Sequence, residues 1–146
     1  GAYSVFANKG VWTEPTYILR IEDKNGIVLY DKKPSVHPAL NEEVAYVMTR
    51  MLRGVVQNGT GSRLSWKYGV KAPIGGKTGT TDSFRDLWYV GFVEDTVTAV
   101  WVGNSDNTKI TSSTGSATAS KVWREYMTEY LKNKTPQNKY KRFEYE

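Results

Sequence analysis

The sequence predicts an α/β fold of the α+β type, in which helices cover an antiparallel sheet. Between residues 74 and 103, three segments rich in strand-forming residues are joined by short connections, which favour an antiparallel meander. Two other segments, 42–58 and 116–132, carry apolar residues at helical spacing. With 146 residues, of which 39% are hydrophobic, the chain has the size of one domain and can bury a modest core.

Residues 1–10 are expected to form the end of a helix. Ala2, Val5 and Phe6 have helical spacing, and Gly10 follows a lysine as a typical helix stop. No capping residue opens the segment, so we interpret it as the last turns of a helix that begins upstream.

A β-hairpin is predicted next. Residues 15–23 alternate well enough for a strand, and residues 27–31 return as its partner. Asn25 and Gly26 both tolerate positive φ angles, which makes this pair a strong hairpin signal. The loop that follows is rich in lysine and proline and holds His37, the only histidine of the chain.

A long helix is predicted after Asn41, whose side chain can cap it. Glu42 and Glu43 lie in its first turn, where the helix dipole favours negative charge, and Gly59 with Gly61 ends it. The apolar positions follow the spacing i, i+3, i+4, i+7, which is typical of an amphipathic helix. They are Val44, Val47, Met48, Met51, Leu52, Val55 and Val56.

The three strands of the meander are predicted at 74–81, 86–93 and 96–103, with Glu94-Asp95 as the turn between the last two. The second and third strands are almost continuously apolar, which indicates that both faces of the sheet are covered. Their large aromatic residues are therefore assigned to the core. These residues are Trp88, Tyr89, Phe92 and Trp101.

The last helix, at 116–132, carries an apolar stripe that can pack on such a sheet. The stripe consists of Val122, Trp123, Tyr126, Met127, Tyr130 and Leu131. We assign residues 1–131 to the folded part of the chain and residues 132–146 to a polar basic tail.

Charge and residue usage exclude several kinds of site. Much of the net charge of +5 lies in the tail, so the folded part gives little support for nucleic-acid binding. The absence of cysteine rules out disulfides and thiolate metal sites, and a single histidine cannot make a typical zinc site. We expect no metal and no cofactor. No apolar run reaches the roughly 18 residues that a membrane helix needs.

The segment 75–80, Gly-Gly-Lys-Thr-Gly-Thr, places a lysine where it can meet a phosphate or a carboxylate. A phosphate loop has the pattern G-x-x-x-x-G-K-[ST] and opens a helix. Here position 71 is a lysine and the residues after the motif predict a strand, so nucleotide binding is not favoured. An edge strand beside a cleft suits an extended ligand with a carboxylate, because lysine supplies charge and threonine hydroxyls donate hydrogen bonds. Gly75, Gly76 and Gly79 would let that ligand approach the backbone.

Three separated blocks of the sequence resemble the C-terminal part of the transpeptidase domain of penicillin-binding proteins, and most of all that of the bifunctional class A enzymes. The blocks are VVQNGTGSRL, GGKTGTTDSFRDLWYVGFVEDTVTAVWVGNSDN and TGSATASKVWREYM. The resemblance implies a five-stranded antiparallel sheet covered by helices and acyl transfer between peptidoglycan stem peptides. In that family the serine nucleophile lies in an S-x-x-K motif, a second motif is S-x-N, and K-T-G lies on the adjacent strand.

The resemblance also implies roles for the residues of the K-T-G-T motif. Lys77 would lie beside the S-x-N serine and assist proton transfer, while Thr78 and Thr80 would hold the carboxylate of a terminal D-alanine or of penicillin. The backbone N–H of Thr80 would form half of the oxyanion hole. Gly79 and Asp82 are assigned to substrate binding as well, with Asp82 near the mouth of the cleft.

Two motifs of that family are missing from this sequence. No serine has a lysine three positions later, so the chain lacks an S-x-x-K nucleophile. Its one S-x-N, at 105–107, follows K-T-G instead of preceding it, and we interpret it as a turn. We therefore expect a fragment, produced by a protease or by design, whose missing part carries both motifs. Alone, the fragment should aggregate or pack loosely, because the face on which the missing helices pack would be exposed.

The sequence as a whole predicts a piece of a D,D-transpeptidase that takes D-Ala-D-Ala stem peptides, is acylated by β-lactams and is inactive without the rest of its domain. The resemblance further implies a membrane anchor, catalytic domains outside the cytoplasm and a glycosyltransferase domain upstream. Two alternatives stay open. In a D,D-carboxypeptidase or β-lactamase of the same fold, water instead of an amine would deacylate the enzyme. A non-catalytic sensor would bind β-lactams without turning over peptides.

Overall fold

A computed structural model describes residues 1–66, 73–93, 96–110 and 113–134, and it confirms the predicted α+β fold. The helices are α1 (Ala2–Ala7), α2 (Glu42–Asn58), α3 (Arg63–Trp66) and α4 (Ala119–Lys134). The strands are β1 (Val11–Thr13), β2 (Arg20–Glu22), β3 (Val28–Asp31), β4 (Val36–Pro38), β5 (Ile74–Thr80), β6 (Asp86–Val93) and β7 (Thr96–Gly103). Residues 132–134, assigned above to the tail, belong to α4. Within the described residues, no helix is both long and apolar enough to span a bilayer.

Within the described residues the central sheet has three strands, not the five that the resemblance implies, in the order β5-β6-β7. Both pairs are antiparallel, as predicted. The β5–β6 ladder runs from Ile74 opposite Val93 to Thr80 opposite Leu87. β5 ends one residue earlier than predicted, and the predicted turn at 94–95 lies outside the described residues. Among the described strands, β5 pairs with β6 alone, so its other edge is free of backbone pairing.

Helix α4 packs on one face of this sheet and forms the main hydrophobic core with it. Trp123, Met127 and Leu131 of α4 are buried in that core. Trp123 lies edge-on to Tyr89 of β6, with 5.2 Å between the ring centroids. Its Nε1 also donates a hydrogen bond of 3.1 Å to the carbonyl oxygen of Thr98, which fixes α4 relative to β7.

Fewer residues of α4 are buried against the sheet than the predicted stripe contains. Val122 and Tyr126 were expected to pack on the sheet, but they are 47% and 52% exposed. Each precedes a buried residue, Trp123 or Met127, by one position, and one position turns the side chain by about 100° around a helix. Tyr126 instead stacks on Tyr130, with 6.1 Å between the ring centroids.

The buried face of α2 differs from its apolar stripe. The buried residues are Ala45, Thr49, Leu52 and Val56. The polar residue among them, Thr49, tolerates burial because its hydroxyl donates a hydrogen bond of 3.2 Å to the carbonyl oxygen of Phe6 in α1. Apolar spacing cannot reveal such a contact. Val44, Val47 and Met51 are 43%, 54% and 61% exposed. These three residues form an exposed line on the helix, which we call the α2 stripe.

The ends of α2 match the prediction in part. Asn41 is the N-cap residue, but its side chain makes no capping hydrogen bond, so the predicted side-chain cap is wrong. The C-terminal end is confirmed, since Gly59 follows the last helical residue. The N–H groups of Gly59 and Gly61 both donate to the carbonyl oxygen of Val55, over 3.0 and 3.1 Å.

The N-terminal region contains the predicted hairpin, but its first strand is Arg20–Glu22 instead of 15–23. It also contains one strand pair that was not predicted. β2 and β3 pair antiparallel, and Gly26 in their turn has a φ of 82°. β1 pairs with β4 and places His37 opposite Trp12, with 4.7 Å between the ring centroids. The predicted loop at His37 is therefore wrong. Each of these strands has three residues, which is too few for an alternating pattern to show in the sequence. Pro38 also disfavours the prediction of a strand, because proline is rare inside sheets.

The prediction that both faces of the central sheet are covered fails at one end. Trp88 and Trp101 lie opposite each other on β6 and β7 and are 41% and 46% exposed. Tyr89 and Phe92 are fully buried, as predicted. Helix α1 approaches this open face near Val97, which lies at the far end of β7 from Trp101.

Glu14 joins the end of β1 to the segment before β4. Its carboxylate lies 2.5 Å from the Nζ atom of Lys32 and accepts hydrogen bonds from the backbone N–H and the hydroxyl of Ser35. The hydrogen bond from Lys32, followed by those from Ser35, lowers the pKa of Glu14 from 4.5 to about 2.

Replacing Gly91 with alanine should destabilise the protein, whereas the same change at Gly54 should stabilise it. A Cβ atom at position 91 would lie 2.6 Å from a ring carbon of Tyr89 and 2.9 Å from the indole of Trp123. Overpacking of this kind costs about 1–3 kcal/mol. Nothing lies within 4 Å of a Cβ at position 54, inside α2, where alanine gains about 0.5–1 kcal/mol over glycine. Urea unfolding of the two variants in the complete domain measures the sign of each change in the free energy of unfolding. Destabilisation of both variants by similar amounts would contradict this packing.

Replacing Glu14 with glutamine should destabilise the protein near pH 6 but not near pH 2. Since the folded pKa of Glu14 is lowered, its contribution to stability is present above pH 4.5 and is lost as the pH falls toward about 2. Thermal unfolding of the complete domain, as wild type and as Glu14→Gln, between pH 2 and pH 6 measures the difference in stability. The matched control is Glu129→Gln on the exposed surface of α4. A difference between wild type and Glu14→Gln that does not shrink on acidification would contradict the assignment.

Candidate functional site

The K-T-G-T motif lies on the free edge of β5. Thr81 N donates a hydrogen bond of 3.1 Å to the carbonyl oxygen of Asp86, which shows that the odd-numbered residues here bond to β6. Backbone groups of successive residues in an antiparallel ladder point to alternate sides. The N–H and C=O groups of Thr78 and Thr80 therefore point away from β6, toward the open edge. Lys77 lies in mid-strand and opens no helix, so the motif lacks the geometry of a phosphate loop.

The ammonium group of Lys77 lies over this open edge. Its side chain is exposed, and Nζ donates a hydrogen bond of 2.9 Å to the carbonyl oxygen of Thr78. The same Nζ is 3.4 Å from Thr78 Oγ1. A cation and a hydroxyl thus occupy one short stretch of strand edge, an arrangement that attracts an anionic ligand.

Residues distant in sequence hold the two threonine hydroxyls. Thr78 Oγ1 donates to Thr60 Oγ1 over 2.9 Å, and Thr60 lies in the loop after α2. Thr80 Oγ1 accepts a hydrogen bond of 3.1 Å from the backbone N–H of Gly115, in the segment before α4. Thr80 therefore keeps its own hydroxyl proton for another acceptor.

Gly115 sits directly on the β5–β6 ladder. A Cβ atom at this position would lie 2.5 Å from the carbonyl oxygens of both Gly79 and Trp88. Both are backbone atoms, so no side-chain rotation could relieve the contact. The absence of a side chain at Gly115 is what allows its N–H to reach Thr80.

The expected role of the motif glycines is wrong for two of them. Gly75 and Gly76 are buried, and their missing side chains make room for the core rather than for a ligand. A Cβ at Gly75 would lie 2.4 Å from the ring of Phe92, and a Cβ at Gly76 would lie 2.4 Å from the hydroxyl oxygen of Tyr89. That hydroxyl is buried without a hydrogen-bond partner among the described residues, and burial raises its pKa. Gly79 is half-buried and lies opposite Trp88.

A tight turn follows the motif and contains Asp82. The turn Asp82–Phe84 is exposed at Asp82 and Ser83, and Ser83 and Phe84 have φ angles of 60° and 55°. Positive φ costs about 1–3 kcal/mol at residues other than glycine, and such strain is often found at functional sites. Thr81 and Asp86 close the turn, because each donates a hydrogen bond to the other, over 3.0 and 2.8 Å.

The S-x-N sequence at 105–107 is a turn after β7, as predicted. Asn107 has a φ of 58°, and its backbone N–H donates to the carbonyl oxygen of Asn104. The hydroxyl and the backbone N–H of Thr108 donate to Asp106, and these hydrogen bonds lower the pKa of its carboxyl group. The side chains of Asn104, Asp106 and Thr108 are thus engaged with one another. In the described part of the chain, no group of three or more acidic or histidine residues could hold a metal ion.

Sequence reasoning missed two residues of the site, Thr60 and Gly115. They lie 18 and 35 positions from their partners Thr78 and Thr80. Both fall inside blocks that carry the family resemblance, but no spacing rule connects either residue to the motif.

Comparisons with known proteins identify the family of this chain. A family model described as the penicillin binding protein transpeptidase domain matches residues 1–128. Penicillin-binding protein 1A of Clostridium novyi (strain NT) is 36% identical over 121 residues, which is 83% of this chain and 14% of that protein. Penicillin-binding protein 1A of Aquifex aeolicus (strain VF5) is 41% identical over 127 residues, which is 86% of this chain and 17% of that protein.

Solved structures show the same fold. The crystal structure of penicillin-binding protein 1A from Haemophilus influenzae matches with a TM-score of 0.84 and 26% identity, over 99% of this chain and 27% of that one. The PonA1 protein of Mycobacterium tuberculosis in complex with penicillin V matches with a TM-score of 0.75 and 25% identity, over 98% of this chain and 39% of that one.

The chain spans only about a sixth of the length of the two penicillin-binding protein 1A relatives from Clostridium novyi and Aquifex aeolicus. Since the family model covers most of its residues, this chain belongs to the penicillin-binding protein transpeptidase domain family.

Proposed function

We propose that this chain supplies one wall of the active site of a peptidoglycan D,D-transpeptidase. The observation that carries the proposal is the free edge of β5, where Lys77 lies between outward-pointing backbone groups and two threonine hydroxyls. An extended peptide that ends in a carboxylate can pair with such an edge and place its charge beside the ammonium group. We call residues 77–80 the K-T-G-T edge.

Each residue of the K-T-G-T edge has a distinct role in this proposal. Lys77 assists proton transfer and stabilises negative charge. Thr78 and Thr80 hold the terminal carboxylate of the substrate, and the N–H of Thr80 donates to the developing oxyanion. Gly79 lets the substrate backbone approach, and Asp82 lies at the mouth of the cleft.

The reaction is acyl transfer through a serine ester. The serine oxygen attacks the carbonyl carbon of the D-Ala-D-Ala bond, the C–N bond breaks, and the terminal D-alanine leaves after its amine takes up a proton. An acceptor amine then attacks the ester, forms the new peptide bond and releases the serine, which regains its proton. With a β-lactam, the amide bond that breaks lies in the ring, so the leaving amine stays attached and the acyl-enzyme persists.

The nucleophile is proposed to lie outside this chain. None of its serines has the S-x-x-K pattern, so the chain alone should be inactive. The remainder of the transpeptidase domain, carrying S-x-x-K and S-x-N, is the proposed partner, and the exposed α2 stripe is a surface on which it can pack. We further propose that the complete protein is anchored in the membrane with its catalytic domains outside the cytoplasm.

Replacing Lys77 with alanine in the complete domain should lower acylation by penicillin about 100-fold or more, because a positioned proton-transfer group contributes about 10²–10⁴-fold. The measurement is the second-order rate of labelling by fluorescent penicillin in stopped flow. Lys132→Ala is the matched control, since this exposed lysine lies at the C-terminal end of α4, where Tyr130 bonds to Thr96 at the opposite end of the sheet from Thr80. Undiminished acylation of the Lys77→Ala variant would refute the proposed role of the edge.

Replacing Gly115 with alanine should slow acylation although Gly115 itself contacts no ligand. The added Cβ would push against the carbonyl oxygens of Gly79 and Trp88 and shift Thr80. A shift of about 1 Å can cost about 100-fold in rate. Ser116→Ala, next in the chain, is the control and should acylate like wild type. The same assay gives both rates, and equal rates for Gly115→Ala and wild type would show that this contact does not position Thr80.

A further inference from the structure

We propose that Thr60 is a positioning residue for the carboxylate subsite, where its hydroxyl forms a two-membered relay with that of Thr78. The inference deepens the proposed function and rests on it. It also assigns different tasks to Thr78 and Thr80, the two threonines of the K-T-G-T edge.

While Thr78 donates its hydroxyl proton to Thr60, it has no proton left to donate to a ligand. A hydroxyl has one proton to donate and two lone pairs to accept with. The proton of Thr78 is directed at Thr60 Oγ1, 2.9 Å away, and Lys77 Nζ lies 3.4 Å from the Thr78 oxygen. Thr80 differs, because it accepts from Gly115 N–H and keeps its proton.

A carboxylate that reaches the edge reverses the relay. It accepts the proton of Thr78, and the hydroxyl of Thr60 rotates to donate to the lone pair that Thr78 then turns toward it. No covalent bond changes, and the number of hydrogen bonds rises by one. A chain of hydroxyls that ends on an anion polarises each member in the same direction, so Thr60 strengthens the bond from Thr78.

The backbone around Thr60 is fixed well enough to play this part. The N–H groups of its neighbours Gly59 and Gly61 both bond to the carbonyl oxygen of Val55, over 3.0 and 3.1 Å. A Cβ atom at Gly59 would lie 2.9 Å from Val55 Cα, so the loop packs closely on the last turn of α2. Thr60 is thus held at the edge of β5 by backbone contacts that do not involve its hydroxyl.

The test uses two substitutions of Thr60 and two forms of one penicillin in the complete domain. Thr60→Val removes the hydroxyl at nearly constant shape, and Thr60→Ser keeps it. Acylation rates are measured with the penicillin carboxylate and with its neutral methyl ester. Thr60→Val should lower the rate with the carboxylate about threefold to tenfold, as expected for one hydrogen bond, and leave the rate with the ester within about twofold. Thr60→Ser should match wild type with both.

The outcomes separate this inference from the proposed function. Equal losses with both penicillins, or no loss with the carboxylate, would overturn the relay and leave Lys77 and Thr80 in their roles. If neither penicillin acylates the wild-type domain, the proposed function is refuted, and the relay with it. Thr16→Val, which removes a hydroxyl bonded to the carbonyl oxygen of Ile18 in the N-terminal region, is the control and should match wild type.

Discussion

The structure depends on the one-sided pairing of β5. Within Ile74–Thr80, the N–H and C=O groups of every second residue bond to β6, and those of the residues between them point to an open edge. The paired side is held firmly because Gly75 and Gly76 let Phe92 and Tyr89 pack directly against the strand. A rigid strand with an unpaired edge offers a ligand donors and acceptors whose positions are already fixed.

Long-range contacts complete the edge by orienting its side chains. The loop after α2 brings a hydroxyl to Thr78, and the segment before α4 brings a backbone N–H to Thr80. Both helices also pack on the sheet, so the elements that stabilise the fold place these two groups. Core packing and site geometry are therefore coupled, and a change in either helix can alter the edge without touching it.

The sequence predicted the elements better than their buried faces. The strands β5, β6 and β7 and the helices α2 and α4 were found because their residues have clear periodicity. Val44 and Tyr126 were placed with the apolar positions of their helices, yet both are exposed, since the buried line also depends on partners that spacing does not identify. Lys77 was found through its motif and the family resemblance. Thr60 was missed, because a contact across 18 residues requires the tertiary structure.

The most direct measurement is fluorescent-penicillin labelling of the protein as purified, followed by a denaturing gel that resolves this 16.5 kDa chain from anything that copurifies. If the chain supplies the K-T-G-T edge and the nucleophile lies elsewhere in the domain, label will appear on a separate copurifying band and this chain will stay dark. Label on the 16.5 kDa chain itself would mean that one of its own serines is reactive, and would contradict the division of the active site proposed for it.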